Sequence, residues 1–140
     1  MVVQLRLLSG RARLGSLIKH FSPANDGICE LCFEEVEDIY HFLQTRCPAL
    51  KTQANVLREY IKTTLMPSKL CSDIFVSICK NAKDDPKLWL QYVLDCSALP
   101  SIIAASQQDN SVLPLMFKAT RTYCYSLHRT RLKLLGRWTP

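Results

Sequence analysis

The chain has 140 residues, of which 48% are hydrophobic and only four are glycine, so it can bury one substantial core and does not resemble a disordered or collagen-like chain. Eighteen Lys and Arg residues against 12 Asp and Glu residues give a net charge of +6. No apolar run approaches the roughly 18–20 residues that cross a bilayer, which argues against a membrane protein.

Helices are predicted along the whole first half. Short candidates cover residues 3–8 and 13–20, and a further short helix over 35–45 ends at Cys47-Pro48, because a residue before proline resists the helical conformation. The next helix, 51–65, has an apolar face made by Val56, Leu57, Tyr60, Ile61 and Leu65.

The second half continues the helical pattern. Ser68 can cap a helix over 69–81, with Leu70, Ile74 and Ile78 facing inward. Asp85-Pro86 starts a helix that runs to about residue 96, and a shorter piece follows Pro100. After a polar loop at 107–111, a long helix covers about 112–135 and stops at Gly136.

These patterns predict an all-α fold, a small helical domain organised around one metal-binding loop. Residues 1–65 carry basic helices and that loop, and residues 66–140 form a helical C-terminal part. We expect the two parts to make one continuous domain.

Cysteine usage indicates a reducing compartment. The chain has seven cysteines, and its start does not fit a secretory signal peptide, because Arg6 interrupts the short apolar stretch and Arg11 and Arg13 follow it. We expect an intracellular location, cytoplasmic or nuclear; an acid-free basic start can also mimic a mitochondrial transit peptide, and that alternative stays open. Four cysteines are scattered in apolar contexts and should pack as small hydrophobes: Cys71, Cys79, Cys96 and Cys124.

The other three cysteines belong to a Cys-x2-Cys-x8-His-x5-Cys motif made by Cys29, Cys32, His41 and Cys47. Two cysteines three residues apart can direct both sulfurs from one turn to a common point, and the later His and Cys can complete a tetrahedron. Thiolate and imidazole suit zinc. Because protein would fill all four positions, the motif predicts one structural Zn²⁺ ion and no catalytic metal.

Two alternatives remain for the motif. One is a coincidental Cys-x2-Cys beside a core histidine, against which stand the turn-rich context, the following helix and the proline after Cys47. The other is a redox Cys-x2-Cys as in thioredoxin, which the absence of a βαβ pattern disfavours.

Charge is arranged in blocks. Residues 26–50 contain six acids against Arg46 alone, whereas residues 1–25 and 118–140 contain four and six basic residues and no acid. The basic ends could contact phosphates and unpaired bases, although a solvated helix face is the plainer explanation. The candidate nucleic-acid-binding residues are Arg6, Arg11, Arg13, Lys19, Arg121, Arg129, Arg131, Lys133, Arg137 and Trp138.

Three stretches, LRLLSGRARLGSLIKHFSP, ICELCFEEVEDIYHFLQTRCPAL and the closing RLKLLGRW, resemble the C-terminal region of non-LTR (LINE-type) retrotransposon reverse transcriptases. In that family a Cys-Cys-His-Cys zinc knuckle follows a basic helical segment. The likeness covers residues 5–65 and the last few residues; residues 66–120 match no motif, and five residues separate His41 from Cys47 where the family more often has four.

The resemblance implies a zinc-stabilised nucleic-acid-binding module that contacts RNA or DNA, with salt-sensitive affinity, and that could associate with the rest of such a polyprotein. No polymerase or endonuclease motif is present, since Asp84-Asp85 precedes a proline and is interpreted as a helix cap, so we do not expect an enzyme. The alternative function is a zinc-organised helical scaffold that binds protein through an apolar face in residues 66–120.

Overall fold

The computed structural model describes Gln4, residues 27–43 and residues 46–137. Six α-helices are present in this part of the chain: α1 (Ile39–Leu43), α2 (Pro48–Leu65), α3 (Lys69–Asn81), α4 (Pro86–Leu94), α5 (Pro100–Gln108) and α6 (Val112–Leu134). A 3₁₀ turn, Cys96–Ala98, separates α4 from α5. The described residues contain no β-strand, only an isolated antiparallel bridge between Ile28 and Val36. The all-α prediction is therefore confirmed; apart from Gln4, the predicted helices over 3–8 and 13–20 lie outside the described residues.

The residues predicted to start helices α3 and α4 cap them as expected. Ser68 Oγ accepts a hydrogen bond from Cys71 N at 3.2 Å, and Asp85 Oδ1 accepts one from Lys87 N at 3.2 Å. Both side chains satisfy backbone donors that have no partner inside the first turn of a helix. These caps fix the starts of α3 and α4 at the predicted positions.

The end of α6 is also predicted correctly. Gly136 has a positive φ of 69°, and two backbone bonds close the terminus, from Gly136 N to Lys133 O at 3.0 Å and from Arg137 N to Leu132 O at 2.8 Å. This pair of bonds is a Schellman motif, in which glycine supplies the left-handed residue after the last helical turn.

Helix faces agree less well with the sequence pattern. On α2 the buried residues are Leu50, Ala54, Leu57, Ile61 and Leu65, whereas Val56 and Tyr60 are 58% and 40% exposed. The prediction that Val56 and Tyr60 face the core is wrong. The buried face of α2 includes Ala54, a small residue that a pattern of large apolar side chains does not detect.

Helix α3 shows a smaller difference of the same kind. Its fully buried residues are Cys71, Phe75 and Ile78, while the predicted Leu70 and Ile74 are only half-buried. The buried face is thus centred about one residue later than the pattern suggested.

One continuous core joins all the described elements. Buried apolar residues from Cys29 to Leu127 form a single cluster, and α6 is its axis, with Met116, Tyr123 and Leu127 fully buried. Helix α2 packs along α6, and α4 packs against the same helix. Three of the four scattered cysteines, Cys71, Cys96 and Cys124, are buried as expected, and Cys79 is half-buried. No described helix has the length and hydrophobicity needed to traverse a lipid bilayer.

Candidate metal centre

A tight turn presents the first two cysteines. Cys29 N donates to Glu35 O at 2.8 Å, Glu37 N donates to Gly27 O at 2.9 Å, and Phe33 N donates to Cys29 O at 2.9 Å. Gly27 and Phe33 both have positive φ, 76° and 58°, a left-handed conformation that glycine adopts freely and phenylalanine only rarely. The turn therefore directs the Cys29 and Cys32 side chains towards the following helix.

His41 lies within α1, and Cys47 is the fourth residue after that helix. Asp38 begins this helix, since its Oδ1 accepts a hydrogen bond from His41 N at 2.7 Å, an arrangement that places His41 in the first turn. Cys47 is the residue before α2 and has an extended backbone, with φ of −75° and ψ of 115°. Pro48 sets that conformation, because a residue before proline avoids the helical region.

The four predicted ligands converge. One ligand atom from each of Cys29, Cys32, His41 and Cys47 lies within 4.8 Å of the others. The sulfurs of Cys29 and Cys47 are 3.8 Å apart, and Cys32 Sγ lies 3.4 Å from His41 Nε2. This cluster could hold one metal ion.

The cluster is buried, and burial disfavours the charged form of its thiols unless a cation is bound. Cys29, Cys47 and His41 are at most 2% exposed. Burial is the main cause that raises the pKa of the Cys29 thiol, and it raises the pKa of Cys47 to about 12. A bound cation reverses this preference, because a metal-coordinated thiol loses its proton.

A second layer of contacts orients the ligands. His41 Nδ1 lies 3.1 Å from Glu35 Oε2, so the carboxylate can accept the Nδ1 proton and leave Nε2 free to face the cysteines. Leu31 N donates to Cys29 Sγ at 3.4 Å. A histidine held by a carboxylate and a sulfur held by a backbone N–H are common outer contacts of metal ligands.

The acidic loop is tied to the C-terminal end of α6 by two ion pairs. Arg131 donates to Glu37 from Nε at 2.7 Å and from Nη2 at 2.5 Å, and both side chains are only 3% exposed. Glu37 Oε2 also lies 3.8 Å from Cys29 Sγ. Nearer the surface, Arg137 Nη2 is 2.8 Å from Glu30 Oε2. The loop and the helix end therefore have complementary charges.

This arrangement corrects one sequence prediction. The sequence predicts Arg131 as a nucleic-acid-binding residue, but it is 2% exposed and its guanidinium is engaged by Glu37. Arg137 remains partly exposed while paired with Glu30. The other candidates Arg6, Arg11, Arg13, Lys19 and Trp138 lie outside the described residues.

The remaining predicted cations share one surface. Arg121, Arg129 and Lys133 are exposed on α6, together with Lys118 and Tyr125. The spacing of these five positions, three or four residues each, puts them on one helix face. We call Lys118, Arg121, Tyr125, Arg129 and Lys133 the basic stripe.

Fold and site together define a small all-α domain with a Cys3His cluster that could hold one metal ion. A comparison of the chain with protein families, with curated proteins and with solved structures finds no match. The functional argument therefore depends on the site and its surroundings.

Proposed function

We propose that the Cys3His cluster holds one structural zinc ion. A zinc tetrahedron with Zn–S bonds of about 2.3 Å and Zn–N bonds of about 2.0 Å has S–S edges of about 3.8 Å and S–N edges of about 3.5 Å. The Cys29–Cys47 and Cys32–His41 separations are 3.8 and 3.4 Å. Protein ligands fill all four positions, which leaves none for water or substrate.

We further propose that the protein is a nucleic-acid-binding module, and the observation that carries this proposal is the basic stripe. Four cations and Tyr125 occupy one exposed face of α6, and the helix sequence contains no acid. At 1.5 Å per residue, Lys118 and Lys133 are about 22 Å apart, a span that covers several phosphates. Tyr125, 45% exposed, offers a ring on which an unpaired base can stack.

In this proposal the metal loop supports the stripe and does not itself contact phosphate. The loop is acidic, and Glu30 and Glu37 are engaged by Arg137 and Arg131. Arg131 points into the protein from the same helix whose outer face carries the stripe. The zinc site thus anchors the C-terminal end of α6.

The resemblance to the C-terminal region of LINE-type reverse transcriptases supports the same function. Its Cys-Cys-His-Cys ligands are the four residues that converge here. On this proposal the chain corresponds to the non-catalytic tail of such a polyprotein, and its activity is binding, without polymerase or endonuclease chemistry.

Fluorescence anisotropy with labelled single-stranded RNA and DNA tests the proposal. We expect binding without magnesium, with an affinity that falls as salt rises by about 0.7 log units per log unit of salt for each phosphate neutralised. Arg121→Ala should weaken binding and lower the salt slope. Lys62→Ala, an exposed cation on α2, is the matched control and should change neither. A flat salt response, or equal effects of the two variants, would contradict the proposal.

A protein-binding scaffold is the second candidate, favoured by large apolar side chains exposed in residues 66–120. Met66, Val76 and Ile103 are 67%, 59% and 44% exposed, which is unusual for side chains that bury readily. This function predicts no salt-dependent nucleic-acid binding, and the same titration separates the two candidates.

A further inference from the structure

A cavity of about 290 Å³ lies between α2, α3 and α4, lined by Arg58, Cys79, Ala82, Lys83 and Trp89. None of these residues is a candidate metal ligand, and none lies on α6, which carries the basic stripe. The cavity is therefore separate from both features on which the proposed function rests.

Arg58 is held in a fixed position at this cavity. Its guanidinium carbon is 4.6 Å from the centroid of the Trp89 ring, close enough for a cation–π contact. The indole beneath it is 3% exposed and is oriented by a hydrogen bond from Nε1 to Leu43 O at 3.1 Å. A guanidinium stacked on a fixed ring keeps its donors in a defined plane, which reduces the cost of ordering them around a ligand.

One of those donors has no hydrogen-bond partner among the residues that the structure describes. Arg58 Nε is buried and makes no hydrogen bond with any described residue, and the ion pairs found among the described residues do not include Arg58. Buried donors in folded proteins are nearly always satisfied, and an exception suggests a missing ligand or water. The Arg58 guanidinium is therefore only partly satisfied by the described residues.

The charge of the cavity specifies the kind of acceptor. Arg58 and Lys83 supply two positive charges, and no carboxylate is found among the described residues that line the cavity. Two carbonyls at the end of α3 are taken up within the turn, since Ala82 N donates to Ile78 O at 2.8 Å and Asp85 N donates to Asn81 O at 3.1 Å. The cavity therefore favours an anion.

We propose that this cavity binds an organic phosphate. The phosphate oxygens accept hydrogen bonds from the Arg58 guanidinium, and Lys83, exposed at the rim, adds a second charge-assisted contact. A volume of about 290 Å³ exceeds what a bare phosphate fills and approaches the roughly 300 Å³ at which small-molecule sites begin. A phosphate that carries a small organic group fits these features.

Isothermal titration of the full chain with inorganic phosphate, adenosine monophosphate and adenosine tests this site. We expect adenosine monophosphate to bind more tightly than inorganic phosphate, and adenosine to show no measurable binding. Lys83→Ala removes an exposed cation and should weaken both phosphate ligands about fivefold or more. Lys80→Ala removes an exposed cation from the last turn of α3, outside the cavity, and is expected to leave both affinities unchanged. Arg58→Lys keeps a charge but loses the planar donors, so weaker phosphate binding with an unchanged melting temperature supports the assignment.

Two results would overturn the inference: no binding of either phosphate ligand up to about 10 mM, a range in which even weak sites are detected, or equal affinities for Lys83→Ala and Lys80→Ala. Titration with a single-stranded oligonucleotide then shows whether the phosphate belongs to a nucleic acid or to a free ligand. Competition between the oligonucleotide and adenosine monophosphate assigns a backbone phosphate, and independent binding assigns a free nucleotide-type ligand. Arg121→Ala tests the basic stripe alone, so failure of either proposal is visible without the other.

Discussion

At the scale of single residues, the Glu37–Arg131 pair is the most consequential contact outside the metal cluster. It is bidentate, with distances of 2.7 and 2.5 Å, and both side chains are 3% exposed. Removing one partner of such a pair leaves an uncompensated buried charge, whereas removing both does not.

Arg131→Met should therefore destabilise the protein by about 3–5 kcal/mol, because Glu37 would remain buried without its counter-charge. Urea unfolding followed by circular dichroism measures the change in the free energy of unfolding. Arg121→Met, on the exposed face of α6, should change stability by less than about 0.5 kcal/mol.

The double variant E37Q/R131M completes a thermodynamic cycle. Removing both charges should cost clearly less than the sum of the two single changes, since neither charge is then left alone. Strictly additive losses would mean that the two side chains do not depend on each other.

A metal assay addresses the cluster directly. We expect freshly reduced protein, purified without added zinc, to contain about one zinc ion per chain. Cys32→Ser should lower that stoichiometry and the melting temperature, because the binding energy of a structural site is also folding energy. Cys79→Ser, a half-buried cysteine outside the cluster, is the control. Zinc content near zero in the unmodified, reduced protein would rule out the site.

The residues of the cluster could be predicted, and the pair beside it could not. Cys29, Cys32, His41 and Cys47 lie within 19 positions of one another, so their spacing alone indicates convergence. Glu37 and Arg131 are separated by 94 positions. The helical period places Arg131 four residues after Leu127 on the buried face of α6, but nothing local identifies Glu37 as its partner.

At the scale of elements, the end of α6 depends on Gly136. No atom lies within 4 Å of a Cβ added at this position, so a substitution meets no steric contact and its cost comes from the positive φ of 69° alone. Gly136→Ala should lower the free energy of unfolding by about 1 kcal/mol. Gly136→Asn should cost less, because asparagine tolerates the left-handed region. Thermal unfolding distinguishes the two variants, and equal losses would contradict this explanation.

Local signals predicted where the helices begin and end better than which side faces inward. Ser68, Asp85 and Gly136 act through their own backbone neighbours, so their roles are readable from the sequence. Helix α2 packs along α6 with the small residue Ala54 on its buried face. Because this packing determines which face of α2 is buried, Val56 and Tyr60 remain exposed.

At the scale of the whole molecule, the metal loop and the helical core are connected but differ in secondary structure and in apolar packing. In the metal loop, the described residues 27–43 and 46–47 contain α1 and an isolated bridge as their only helical or bridged structure, whereas the later helices share one apolar cluster. Their dependence on metal should differ accordingly.

Chelation should therefore act unevenly along the chain. After metal removal we expect amide hydrogens in residues 27–47 to exchange much faster, while the centres of α2 and α6 remain protected and helical circular dichroism is largely kept. Hydrogen exchange with mass spectrometry on the full chain, with and without a zinc chelator, measures this. Restored protection when zinc is added back serves as the control, and uniform loss of protection would contradict the expectation.

The carbonyl of Leu43 links these two parts of the molecule. It accepts hydrogen bonds from Trp89 Nε1 at 3.1 Å and from Tyr123 Oη at 3.0 Å, so one oxygen joins the end of α1 to both α4 and α6. Because the acceptor is a backbone carbonyl, these hydrogen bonds require only an apolar side chain at residue 43. They do require the indole N–H of Trp89 and the hydroxyl of Tyr123. In a library of folded variants, position 43 should accept several apolar residues, whereas position 89 should retain tryptophan and position 123 tyrosine.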